Sequence, residues 1–114
     1  LRYSNIMDVK DYKQFQSFQK DPFLRKWNFW GYIDARDVAQ ACLLAMESNL
    51  KGADNFIIAA DDTVMEEDNE LLLDKVFPNI HIKGEIGKNK TLLSNEKAKK
   101  VLGFKPEYSW KNIN

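Results

Sequence analysis

At 114 residues, 44% hydrophobic and 30% charged, the chain has the composition of one ordinary globular domain or of a piece of a larger one. Seventeen basic and seventeen acidic residues cancel, so no overall field recruits nucleic acid or an anionic membrane. The single cysteine, Cys42, excludes an internal disulfide framework and suits a reducing cytoplasm, and no apolar run approaches the roughly 20 residues that span a bilayer.

Leu1-Arg2-Tyr3-Ser4-Asn5-Ile6 reads as a strand with no turn, cap or leader before it, as at a cut inside a longer chain. From Asp8 to Lys20 the chain is polar, with Tyr12, Phe15 and Phe18 near helical spacing, which predicts a short helix stopped before Pro22. Arg25 to Ile33 carries Trp27, Phe29, Trp30 and Tyr32 and is expected to be extended. Asp34 then opens the clearest helix as its N-cap, with Asp37 suited to the positive end of the helix dipole. Val38, Cys42, Ala45 and Met46 give that helix its apolar face, which fades at Ser48-Asn49 and ends at Lys51-Gly52.

Phe56 to Ala60 is an unbroken apolar run, the mark of a strand covered on both faces in a parallel sheet. Asp61-Asp62-Thr63 is a loop, and a helix is predicted over 67–77, closed by Pro78. Ile80-His81-Ile82 suggests a short strand. Ser94 is the expected cap of a last helix carrying Ala98, Val101 and Leu102, with Gly103 as its left-handed stop and Pro106 beyond. No repeat or linker divides the chain, so residues 1–114 form one unit, and the alternation of strands and helices argues an α/β fold.

Four of these stretches together resemble a family. Tyr32-Ile33-Asp34-Ala35-Arg36-Asp37-Val38-Ala39 is similar to the helix-opening signature of extended short-chain dehydrogenases/reductases, the NAD-dependent epimerase/dehydratase family. Leu1 to Asn5 resembles the strand after that family's catalytic helix, and Asn55 to Ala59 the last strand of its nucleotide-binding sheet. Leu93-Ser94 through Leu102-Gly103-Phe104-Lys105-Pro106 resembles its closing element. The resemblance implies the C-terminal, substrate-binding part of a Rossmann-type protein, with two sheet strands and the small substrate-capping portion.

It also implies NAD or NADP for the intact protein, but none for this chain alone. Its glycines, Gly31, Gly52, Gly84, Gly87 and Gly103, do not form the phosphate-binding turn. The family's catalytic tyrosine is followed four residues later by lysine; Tyr3, Tyr12, Tyr32 and Tyr108 are followed by Met7, Gln16, Arg36 and Asn112. No catalytic, cofactor-binding or metal-binding residue is therefore expected here, and the isolated chain is expected to be inactive.

Substrate contact is expected from Asn5, Arg25, Trp30 and Arg36. Asn5 matches a family asparagine at the carboxyl end of a strand, although Met7-Asp8-Val9 departs from the usual glycine-proline continuation. Trp30 replaces an arginine that clamps substrate phosphates, which disfavours a nucleotide sugar unless Arg25 or Arg36 supplies the charge. Trp27 and Trp30 also suit core packing, and one short basic pair, Arg25-Lys26, is too little for a nucleic-acid platform.

Capping accounts for Asp34 and Asp37. The acidic tract from Asp61 to Asp68 lacks the spacing of a calcium loop, His81 has no partner, and Cys42 packs as a small hydrophobe. The function implied is that of an oxidoreductase, epimerase or dehydratase acting on a sugar-like or other small carbonyl/hydroxyl substrate. The alternative is a non-catalytic relative used for cofactor sensing or protein interaction. Apolar surface left bare on such a fragment, with zero net charge, predicts a homodimer.

Overall fold

A computed structural model describes residues 1–112. Its strands are β1 (Arg2–Tyr3), β2 (Ile6–Met7), β3 (Ile33–Asp34) and β4 (Ile57–Ile58). Its α-helices are α1 (Phe15–Phe18), α2 (Ala35–Glu47), α3 (Asn69–Val76) and α4 (Glu96–Leu102). Helices and short parallel strands alternate, so the fold is α/β.

The opening stretch is not one strand. β1 pairs in parallel with β4, and β2 pairs in parallel with β3. Arg2 and Ser4 donate their N–H groups to the carbonyls of Phe56 and Ile58, and then the Asn5 carbonyl accepts from Ile33. The chain thus passes from one neighbour to the other between Ser4 and Asn5. Parallel pairing needs a crossover, and residues 8–32 supply it between β2 and β3. Asp8 and Asp11 form a capping box at its start. The backbone then runs as 3-10 helix over Val9–Gln14 before α1, with Tyr12, Phe15 and Phe18 buried.

Of residues 25–33, expected to be extended, 25–30 are not. Asp21 accepts from Phe23 N, Pro22 sits in the first turn, and Pro22–Asn28 forms a 3-10 helix. A start signal with preset φ outweighs the aromatic preference for strands. The turn ends on two residues in the left-handed region, Phe29 (φ 52°) and Trp30 (φ 62°), before extended backbone resumes at Ile33.

α2 begins where Asp34 accepts from Arg36 N, as expected, but ends at Ser48, before Lys51-Gly52. Its buried side packs Ala41 with Ile33, Phe56, Ile58, Ala98 and Leu102 into one core. A larger core gathers Tyr12, Phe15, Trp30, Tyr32, Leu72 and Trp110, among others. The 56–60 run is buried as expected at Phe56, Ile58, Ala59 and Ala60, but only Ile57–Ile58 is strand, and Ile57 is not covered. Ile58 is fully buried, whereas Ile57 is 37% exposed.

Residues 80–82 form no strand; with no partner in reach, their backbone stays irregular and their side chains exposed. Ser94 is not the cap of α4. Asn95 holds that position, and its Nδ2 donates to Ala59 O and Asp61 Oδ1 rather than capping the helix. Gly103, at φ 74°, makes the left-handed stop. Among the described residues no helix is long and apolar enough to cross a membrane.

Candidate functional site

The carboxyl ends of β2, β3 and β4 lead into Asp8-Val9, Ala35-Arg36 and Ala59 to Asp62 respectively. Across these ends lies the segment from Pro106 to Trp110. Two acids pin it there. Asp37, fully buried in α2, accepts from Glu107 N at 3.0 Å and Tyr108 N at 3.1 Å. Asp62 accepts from Tyr32 Oη and from Ser109 Oγ, each at 2.6 Å. Trp110 completes the attachment, donating its backbone N–H to Tyr32 Oη at 3.1 Å and its indole N–H to Thr63 O at 2.7 Å.

A charged network lines the resulting cleft. Asp34 is buried and accepts from Arg36 Nε and Nη2 at 2.9 Å each, from Arg36 N, and from Tyr12 Oη. Burial pushes its carboxyl upward, but the hydrogen bonds from Arg36 and Tyr12 outweigh that and hold it below the ordinary aspartate value. Burial, then the bond to Asp34, raises the Tyr12 phenol well above its usual range. Tyr32 is raised in the same way by burial and by Asp62. Asp37 is raised because burial exceeds the help of the Glu107 and Tyr108 amides.

The Arg36 guanidinium lies 3.6 Å from the centre of the Tyr108 ring, so it is clamped between a carboxylate and an aromatic face. Val9, Arg36, Glu107, Tyr108, Ser109 and Asn112 enclose a cleft of about 370 Å³. On the other side of Val9 a second opening of about 520 Å³ runs past Tyr12, Lys13, Gln16, Glu66, Trp110 and Lys111.

Of the four residues expected to touch substrate, only Arg36 lines these clefts. Asn5 lies at the strand hand-over, half-buried, with its carbonyl bonded to Ile33 N. Arg25 places its guanidinium 4.5 Å from the Phe18 ring centre, and its carbonyl accepts from Trp30 N. Trp30 is fully buried and donates its indole N–H to Pro22 O at 2.8 Å, so it serves the larger core.

Val9, Tyr12, Tyr108 and Ser109 were not singled out as ligand contacts. The one sequence signal for Tyr108 and Ser109 is a polar-aromatic segment just after Pro106. Asp34 caps α2 as expected, whereas Asp37 holds a segment seventy residues away. Among the described residues no group of three or more His, Cys, Asp or Glu side chains is placed to hold a metal ion. Comparison of the chain with protein-family models, with curated proteins and with solved structures finds no match.

Proposed function

We propose that this chain is the substrate-side part of an NAD(P)-dependent epimerase, dehydratase or reductase, and that the Val9–Arg36–Tyr108 cleft receives a sugar-like or other small carbonyl/hydroxyl compound. One observation carries the reading: the cleft sits beyond the carboxyl ends of parallel strands β2 and β3. That is the side on which α/β sheets bind their ligands.

The chemistry of the cleft agrees with a neutral, oxygen-rich ligand. Asp34 cancels the charge of Arg36 and occupies its Nε and Nη2 faces, which leaves Nη1 as a fixed donor for a hydroxyl or carbonyl oxygen. Glu107 and Ser109 add acceptors and a hydroxyl beside it, and Val9 supplies apolar contact. Asp37 and Asp62 hold the wall made by residues 107–110, and so hold this geometry. The chain's residues do not fit a dinucleotide. Gly31 is packed against Leu93 and Ser4, Gly52, Gly84 and Gly103 serve isolated turns, and none precedes a helix as a phosphate-binding turn does. Both buried phenols, Tyr12 and Tyr32, are tied to carboxylates and raised, so neither suits proton transfer at neutral pH.

Amide NMR of the labelled chain tests this. Titration with glucose, galactose and xylose to about 50 mM, enough for a millimolar site, is expected to shift Val9, Arg36 and Tyr108. NAD and NADP, oxidised or reduced, are expected to shift nothing. Silence of the cleft toward all three sugars, or micromolar binding of a nicotinamide cofactor by this chain, would overturn the reading.

A further inference from the structure

The larger opening, about 520 Å³, shares Val9 with the cleft that holds Arg36 and is built from the same two parts of the chain. One side is a face of the 3-10 helix Val9–Gln14 continued into α1. Val9, Lys13 and Gln16 follow one another at four- and three-residue spacing, which sets their side chains along it. The other side is the end of the segment that Asp37 and Asp62 hold down. Residues 107–109 line the cleft beside Arg36, and the next two, Trp110 and Lys111, line this opening.

The two openings differ in charge. In the first, Asp34 neutralises Arg36 through a salt bridge at 2.9 Å. In the second, Lys13 and Lys111 are exposed, and among the described residues neither lies within ion-pair reach of an acid. Lys111 holds its ammonium 6.0 Å from the centre of the Trp110 ring, at the wall of the opening. Glu66 is the one acid in the lining, so the opening carries a single net positive charge. The Tyr12 hydroxyl is engaged by Asp34, and the Gln16 amide supplies an uncharged donor.

We propose that the ligand of this site is a sugar acid, with its hydroxyls against Arg36 Nη1 and Ser109 and its carboxylate past Val9, between Lys13 and Lys111. The proposal rests on the ligand reading of the first cleft and narrows its substrate class to carboxylate-bearing sugars. One net charge in the lining matches one carboxylate. A phosphate group would bring about 1.5 to 2 negative charges, and no arginine lines this opening to meet its oxygens as a fork.

Amide NMR titrations of the whole chain with glucuronate, glucose and glucose 6-phosphate, at a matched ionic strength of about 50 mM, test it. Glucuronate is expected to bind at least about fivefold more tightly than glucose, the size of one partly exposed ion pair. It should shift Lys13, Gln16 and Lys111 together with Val9, Arg36 and Tyr108. Raising the ionic strength to about 0.5 M, where the Debye length is about 4 Å, should remove most of that advantage. So should Lys13→Gln/Lys111→Gln, which changes only exposed positions and should keep the far-UV circular dichroism of the original. The salt titration decides the matter even if that variant fails to fold. Glucuronate that binds no more tightly than glucose and leaves Lys13 and Lys111 unmoved would overturn the inference while the cleft reading stands. An advantage that survives high salt, or tighter binding of glucose 6-phosphate than of glucuronate, would overturn it too. Silence toward all three compounds would overturn the inference and the cleft reading together.

Discussion

Asp34 receives four hydrogen bonds, three from Arg36 and one from Tyr12, and the last is the one that can be removed with least disturbance. Tyr12→Phe keeps the ring that meets Phe15 and Tyr32 edge-on and takes away only the hydroxyl. Losing one donor to a buried carboxylate should cost about 1–3 kcal/mol in urea unfolding at neutral pH. The pH dependence follows from the depressed pKa of Asp34. Its stabilisation is fully present above the unfolded-state value near 4 and is lost as pH falls through the lower folded value. The gap between Tyr12→Phe and the parent should therefore be constant from pH 6 to 8 and narrow below about pH 4. A gap that does not narrow at all as the solution is acidified would mean that Tyr12 does not support the ionised carboxylate. Asp37 acts in the opposite direction: its raised pKa adds relative stability as the solution is acidified through it. How little of the site is legible in sequence also shows here. Arg36 stands out as a charge next to a helix start, but Val9, Tyr12 and Tyr108 come from three separate segments. The tertiary bonds of Asp37, Asp62 and Trp110 bring residues 107–110 to them.

Among the elements, legibility tracks how locally each is determined. α2, α3 and the stop of α4 carry their own signals: Asp34 and Asp68 as caps, a 3.6-residue apolar period, Gly103 in the left-handed region. Strands of two residues have no period to display, and their boundaries depend on which neighbour offers a carbonyl. That is why one expected strand over 1–6 becomes β1 and β2, and why residues 80–82, with no neighbour, become none. The 3-10 helix Pro22–Asn28 is decided by Asp21 and Pro22; of the aromatic residues that suggested a strand, Phe29, Trp30 and Tyr32 pack into the larger core, whereas Trp27, expected to suit core packing, is 67% exposed. β4 gives the sharpest test of the corrected burial. Ile58 is fully enclosed by the core that includes Ala41, Ala98 and Leu102, so Ile58→Ala should cost about 2–5 kcal/mol. Ile57, on the open face, should lose less than about 1 kcal/mol on the same change, near the range of surface substitutions. Equal losses in denaturant melts would restore the expectation of a strand buried on both sides.

At the scale of the whole molecule, two apolar cores raise the question of whether the chain unfolds in one step. Neighbouring residues of the same short strands and turns serve both. Tyr32 belongs to the larger core and Ile33 to the smaller, and likewise Ala60 and Ile58. Polar bonds tie the two together again. Asp37, on the helix that covers the smaller core, holds Glu107 and Tyr108, and two residues on Trp110 fills the larger one, 5.3 Å from the Phe15 ring centre. Asn95 at the head of α4 reaches Ala59 and Asp61, immediately before Asp62 and its bonds to Tyr32 and Ser109. Opening either core therefore strips the other of buried hydrogen bonds, each worth about 1–3 kcal/mol when its partner is left unsatisfied. A chain of this size has only about 5–15 kcal/mol in total, so two or three such losses leave neither core able to stand alone. The two probes needed are already built in. Trp30 and Trp110 are buried in the larger core, while α2 and α4, which pack on the smaller one, supply much of the helical circular dichroism. Tryptophan fluorescence and ellipticity at 222 nm should therefore trace one urea transition with a common midpoint at a fixed protein concentration. Midpoints separated by more than about 0.5 M, beyond the usual scatter of such melts, would show that the two cores melt independently and that the Asp37 and Asn95 links are too weak to couple them.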